Sequence, residues 1–363
     1  MMHVKNWILT ALLSVLIPSA LFSQDFPVEE PDGIFSPEFT GNKVVFRLFA
    51  DAATEVFIDG SWLDSPRLMQ KMPGGVWEYH TFGLKPDMYS YSFIVDGVAA
   101  TDPNNPLSYR DGARMENYFF VNGPAIERYR TVSDAGTVVR TSFHSNAFRS
   151  ERDLAVYLPA EYGSNPRKEY PVLYLLHGEG GDEDSWIYAG KAPQILDYLI
   201  GSGKALPMIV VMPDCSGNVS GSIMMSSIVN EVVPFVESHF RAAPSETRRG
   251  IAGIGAGGRL AIRSSVLYLN RFDYICALSC GVEDNGHLVD DFLKVKQSKV
   301  RLFWVGCGRM DDVAYESSKL LHDTLSYVHL DHTFYLSHGG HSWSNWRQYL
   351  FTFVPLIFKY YTD

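Results

Sequence analysis

At 363 residues the chain has room for two domains, and with 46% hydrophobic and 20% charged residues it has the composition of a folded globular protein. A formal charge of −10 argues against nucleic acid or an anionic membrane as a partner. Four cysteines, all in the second half, are too few for a disulfide framework in a chain of this size.

Residues 1–23 have the pattern of a cleaved secretory signal. Lys5 supplies the positive start, Trp7 to Phe22 is an apolar run, and Ser19, Ala20 and Ser23 allow cleavage before Gln24. The run is shorter than the ~20 residues a membrane span needs, and Pro18 interrupts it. A secreted or periplasmic protein with no membrane span in its mature part is expected.

Residues 24–122 read as short alternating strands. Val44–Phe49, Glu55–Ile58, Val76–His80, Tyr89–Val95 and Tyr118–Val121 are separated by turn signals such as Asp59-Gly60, Pro73-Gly74-Gly75 and Asp96-Gly97. Regular short strands with Gly and Pro turns predict an immunoglobulin-like β-sandwich. Trp77 sits inside an alternating strand and is assigned to the core. Trp62 sits on a turn and is a candidate sugar platform.

Residues 123–150 connect the blocks and lead into a first strand region. From 151 to 363 apolar strands alternate with helices: strands at 154–158, 172–176, 208–212, 250–254, 274–279, 300–305 and 332–336, and helices at 193–203, 227–240 and 257–269. This alternation predicts a mostly parallel sheet with helices on both faces, whose site lies at the strands' C-terminal ends.

At residues 248–258 the chain reads Arg-Arg-Gly-Ile-Ala-Gly-Ile-Gly-Ala-Gly-Gly. This resembles the strand–turn–helix nucleophile elbow Gly-x-Ser-x-Gly of an α/β-hydrolase fold, with glycine in place of serine. Gly255 therefore stands at the nucleophile position without the oxygen or sulfur that an acyl-enzyme requires. Asp311, with Asp312 beside it, follows a strand and is the acid candidate. His341 follows the next strand and is the base candidate, in the chain order nucleophile, acid, histidine. The oxyanion donors are expected to be the backbone N–H groups of Ala256 and of the loop 177–181, most directly Glu179. His177 in that loop is expected to be structural. Trp186 and Trp343 are candidates to line a ligand cleft. His338 and His341 lack a third ligand, so neither a metal site nor a cofactor is expected.

Two stretches carry family resemblance. FRLFADAATEVFIDGSW, GVWEYH and MYSYSFIVDG resemble the E-set modules related to glycogen-binding domains. YPVLYLLHGEGGDEDSW, GKALPMIVVMPD, VPFVESHF, RGIAGIGAGG and GGHSWSNWRQYLFTFVPLIF resemble carbohydrate esterase family one, the feruloyl and acetylxylan esterases, which share a fold with enterochelin esterases. The resemblance implies acyl or feruloyl esters on polysaccharides such as xylan as the substrate class. It carries over Asp311, His341 and the oxyanion positions, and it does not carry over a nucleophile. The expected function is a pseudo-esterase that binds polysaccharide or acylated oligosaccharide. The rival readings are a hydrolase or acyltransferase using water or an unusual nucleophile, and a partner-docking protein.

Overall fold

A computed structural model describes residues 33–217, 219–243, 248–298 and 300–359. The signal expected at 1–23 lies outside the described residues. Among the described residues, no helix is long and apolar enough to cross a membrane.

The first ten strands are β1 (Glu38–Thr40), β2 (Lys43–Phe49), β3 (Val56–Gly60), β4 (Arg67–Leu68), β5 (Gln70–Lys71), β6 (Val76–Phe82), β7 (Met88–Val95), β8 (Val98–Ala100), β9 (Ser108–Asp111) and β10 (Arg114–Phe120). They form two antiparallel sheets, β1-β2-β6-β5 and β4-β3-β7-β10-β9, with β8 alongside β7. Alternation places Val44, Phe46, Ile58, Trp77, Tyr91, Phe93 and Phe119 between the sheets. Trp77 is buried in this core, and its Nε1 donates to Ala50 O.

An eight-stranded sheet follows. Its strands are β11 (Thr137–Ser145), β12 (Ser150–Leu158), β13 (Val172–Leu176), β14 (Ile209–Pro213), β15 (Arg249–Ile254), β16 (Tyr274–Leu278), β17 (Leu302–Gly308) and β18 (Thr333–Ser337). Their spatial order is β11-β12-β14-β13-β15-β16-β17-β18, antiparallel at the β11 edge and parallel from β14 onward. Every residue of β13 to β16 is buried, as a sheet covered on both faces requires.

The covering helices are α1 (Ser185–Tyr188), α2 (Ala192–Gly201), α3 (Gly221–Ser227), α4 (Val233–His239), α5 (Gly255–Leu267), α6 (Leu288–Lys296), α7 (Tyr315–Tyr327) and α8 (Trp343–Phe353). The single helix expected at 227–240 is broken by a π turn over Ile228–Val232. Pro234 has no N–H to return to Asn230, and the wider turn absorbs the gap.

The outer face of sheet β4-β3-β7-β10-β9 docks on the α/β part. Met88, Tyr109, Ile126 and Tyr129 share one apolar cluster with Trp186, Leu196 and Leu350. The buried Arg347 of α8 spans the junction, donating to Met88 O at 2.7 Å and Ala189 O at 2.9 Å. Lys191 lies in the same junction in a left-handed conformation (φ 50°), with Nζ 4.3 Å from the Tyr118 ring centre. Burial, with a smaller push from Arg347, lowers its ammonium pKa to about 8.

The unfolded chain therefore holds this proton more tightly than the folded one. The penalty is complete below about pH 8 and fades as pH rises toward 10.5. Lys191→Met is expected to stabilise the fold at pH 7, and this advantage should shrink by roughly 3 kcal/mol by pH 10.5. Urea unfolding of both proteins at the two pH values checks this; an advantage constant with pH would contradict it.

Candidate active site

The elbow lies where β15 meets α5. The backbone turns through Gly255 at φ +50°, a left-handed value that suits glycine. A Cβ built on Gly255 meets no atom within 4 Å. Its neighbours differ. A Cβ on Gly253 would lie 2.5 Å from Gly257 C, one on Gly257 2.3 Å from His177 O, and one on Gly258 2.2 Å from Cys280 Sγ. The flanking glycines thus let α5 approach the sheet, and the central one faces open space.

A cavity of about 230 Å³ lies over this turn. The elbow (Ile254, Gly255, Ala256), the loop carrying Gly178, Glu179 and Gly181, and the segment from His341 through Trp343 to Trp346 all line it. Ala256 stands in the first turn of α5, whose N–H groups have no partner within the helix. The cavity therefore brings together four of the residues singled out in the sequence as chemical: Glu179, Gly255, Ala256 and His341.

His341 Nδ1 lies 3.1 Å from Asp311 Oδ1 and 3.3 Å from Oδ2. Asp311 is fully buried, whereas the neighbouring Asp312 is exposed. Burial alone would raise the Asp311 carboxyl. Hydrogen bonds from His341, Ser279 and the Ala314 N–H, with the charge of His341, outweigh burial and hold it below the usual carboxylate range. A carboxylate at Nδ1 fixes the imidazole tautomer and leaves Nε2 as the ring's basic nitrogen.

His177 is buried, with Nδ1–H donating to Gly178 O and Nε2 accepting from Cys215 N–H at 2.8 Å. Burial, against opposing contributions from the Gly178 carbonyl and nearby acids, lowers its pKa. Both ring nitrogens are spent on shaping the loop.

The two indole candidates at the cleft separate. Trp343 lines the cavity. Trp186 is buried beneath it, its Nε1 donating to Leu176 O and its ring edge-on to Trp343 at 5.3 Å. Trp62 is packed rather than presented: it stacks on Phe46 at 5.3 Å and meets Tyr89 and Phe119 edge-on.

The structure adds residues that the sequence did not mark. Ser279, buried at φ +45°, lines the cavity and accepts from Trp346 Nε1 at 2.9 Å. Two hydroxyls and one thiol near the elbow are not free to act. Ser264 and Ser265 donate to carbonyls of their own helix. Burial first, and the Asp214 charge second, push the Cys215 thiol up to about 12, so it supplies no thiolate at neutral pH.

Asp111 comes from the sandwich. It sits at the tip of the β9–β10 hairpin, lines the cavity, and accepts from Trp343 Nε1 at 3.0 Å. Burial, with Asp182 nearby, raises its carboxyl despite that hydrogen bond. The next residue, Gly112, turns at φ +59° against the loop 177–181, and a Cβ there would lie 2.0 Å from Gly180 O. Gly112→Ala is therefore expected to push the hairpin off the loop that carries Glu179. In a chain given a nucleophile, a displacement of about 1 Å should lower kcat by ~10². Steady-state kinetics of Gly255→Ser with and without Gly112→Ala tests it, and equal kcat values would show that the hairpin does not set the loop.

Comparison with known proteins agrees with this fold. The family model described as "Putative esterase" matches residues 145–357. An endo-1,4-beta-xylanase/feruloyl esterase of Xylanibacter ruminicola is 27% identical over 336 residues, covering 86% of this chain and 44% of its own length. The chain thus spans less than half of that relative. A feruloyl esterase module from Clostridium thermocellum complexed with sinapinate superposes with a TM-score of 0.59 at 23% identity, over 69% of this chain and 96% of that one. The enterobactin esterase of Shigella flexneri superposes at 0.69 and 16% identity, over 87% and 93%. The family match takes in β12 through α8, the elements that carry the elbow, the buried acid and the histidine, and on that match the chain belongs to the esterase family.

Proposed function

We propose that this chain is a catalytically impaired esterase whose cleft binds the acyl part of feruloyl- or acetyl-type esters on a xylan-like glycan. The observation that carries the reading is Gly255, a nucleophile position without a side chain, beside a buried Asp311 paired to His341. The Ala256 and Glu179 N–H groups are assigned to the ester or carboxylate oxygen, and Trp343 to the wall that an aromatic acyl group would meet. The ligand class rests on the relative named as a xylanase/feruloyl esterase and on the feruloyl esterase module solved with sinapinate. The proposed domain limits are 24–122 for the sandwich module and 151–363 for the esterase-like domain, joined by 123–150. The apolar N-terminal pattern at 1–23 supports a place outside the cytoplasm.

The test is calorimetric titration of residues 24–363 with ferulate, alongside a release assay on methyl ferulate and acetylated xylan. Binding without release is expected. A second reading follows from the Asp311–His341 pair, which a binder does not require: Nε2 could take a proton from water attacking a bound ester directly. Release that disappears in His341→Ala would establish that reading and overturn the first.

A further inference from the structure

Away from the cavity, two histidines face each other. His322 lies in α7, and His332 immediately precedes β18. Both rings are half-buried, and neither lines the cavity at the elbow. His322 Nδ1 is 2.7 Å from His332 Nε2, and the ring centres are 5.0 Å apart, so the two nitrogens point at one another.

Each ring is held by a contact of its own. His322 stacks on Phe334, with centres 4.5 Å apart and planes at 14°. His332 Nδ1 lies 2.8 Å from Leu330 O. A carbonyl only accepts, so this nitrogen carries the ring proton and Nε2 presents a lone pair to His322. His322 Nδ1–H therefore donates to it. A ring N–H given to a backbone carbonyl is also how metal-binding histidines are commonly anchored, because it fixes the tautomer and aims the ligating nitrogen.

One proton separates the two nitrogens. Moving it from Nδ1 to Nε2 of His322 leaves the ring neutral and turns two lone pairs toward one space. Bonds of about 2.0–2.1 Å to one ion at a tetrahedral angle place two nitrogens about 3.3 Å apart. From 2.7 Å the rings need to part by roughly 0.6 Å and tilt off their common line, and His322 can slide over the flat face of Phe334 to do so. We propose that His322 and His332 form a two-histidine site for a divalent transition-metal ion that ties α7 to the start of β18. Imidazole selects copper, nickel and zinc over calcium and magnesium, and Cu²⁺ binds most tightly of these. Among the described residues, no group of three or more His, Cys, Asp or Glu side chains converges on a metal position, and the adjacent Asp323 is paired with Lys319 at 2.6 Å. The two imidazoles are therefore the protein's whole contribution: each displaces one water from the aqua ion, and the remaining waters stay. The clip joins the helix that follows Asp311 to the strand that leads to His341.

Calorimetric titration of residues 24–363, carrying no histidine tag and stripped with EDTA, with Cu²⁺ and with Zn²⁺ tests it. One tight equivalent of Cu²⁺ is expected, bound roughly tenfold or more tighter than Zn²⁺. The Cu²⁺ electron paramagnetic resonance spectrum should show coupling to two imidazole nitrogens. His322→Gln and His332→Gln should each weaken Cu²⁺ binding roughly tenfold or more, while His144→Gln, at an exposed histidine elsewhere, should leave it unchanged. Saturating Zn²⁺ should raise the thermal midpoint of wild type by about 2–4 °C and leave that of either glutamine variant where it stands in EDTA. Comparing each protein with and without metal removes any stability lost with the His–His hydrogen bond itself. No tight equivalent, equal binding in wild type and both variants, or a spectrum with a single nitrogen ligand would each overturn the site.

Discussion

Gly255→Ser is expected to raise turnover of a feruloyl or acetyl ester by ~10⁴-fold or more, from a wild-type level no more than ~10³–10⁴ above the uncatalysed reaction. Removing the serine of a serine hydrolase costs ~10⁶ in kcat, and oxyanion donors and binding alone leave ~10³–10⁴ over water. The reverse change succeeds only where the rest of the machinery is in place. Here the backbone already turns at φ +50°, the added Cβ meets nothing within 4 Å, and His341 is held by Asp311 at 3.1 Å. The hydroxyl would enter at the start of α5, with the Ala256 N–H following it. Holding a side chain at positive φ should cost about 1 kcal/mol of stability. The gain should vanish on adding His341→Ala. A Gly255→Ser protein as silent as wild type would mean that the cavity does not place an ester for attack.

The second large effect concerns stability. Gly257→Ala is expected to destabilise the fold by roughly 3 kcal/mol or more, at the upper end of overpacking costs. The new Cβ would lie 2.3 Å from His177 O and 2.7 Å from Leu176 Cβ, and the nearest of these is backbone that cannot rotate away. Relief would require α5 to lift from β13, and the elbow would move with it. Gly255→Ala, two residues earlier, should cost only about 1 kcal/mol, because it bears strain without collision. Denaturant midpoints of the two variants separate the cases. Equal losses would show that α5 has more freedom than its contacts indicate.

Much of this fold was legible because its strands are buried on both faces. The apolar run at 172–176 coincides with β13, and the elbow motif falls on β15 and α5. What escaped the sequence depended on which module a side chain faces. Strand β9 reads Ser-Tyr-Arg-Asp, with little apolar alternation, because its outward Tyr109 packs into the other module's core. The hairpin that brings Asp111 to the cavity was therefore missed. Trp186 and Trp343 are indistinguishable as letters, yet one is sealed under the cleft and the other lines it. Asp311 and Asp312 are adjacent, and only burial against His341 tells them apart. Ser279 carried no motif, since its place at the cavity follows from the Trp346 indole that donates to it.

The docking of the sandwich on α8 has a consequence for biosynthesis. Trp343 reaches Asp111 across 232 positions, and Arg347 reaches Met88 across 259. At ~5–20 residues per second, the ribosome needs roughly ten seconds to a minute to deliver the partner after the sandwich has emerged. During that interval Tyr109, Tyr118 and Phe120 form an uncovered aromatic strip on a folded module, the kind of surface that chaperones recognise and nascent chains stick by.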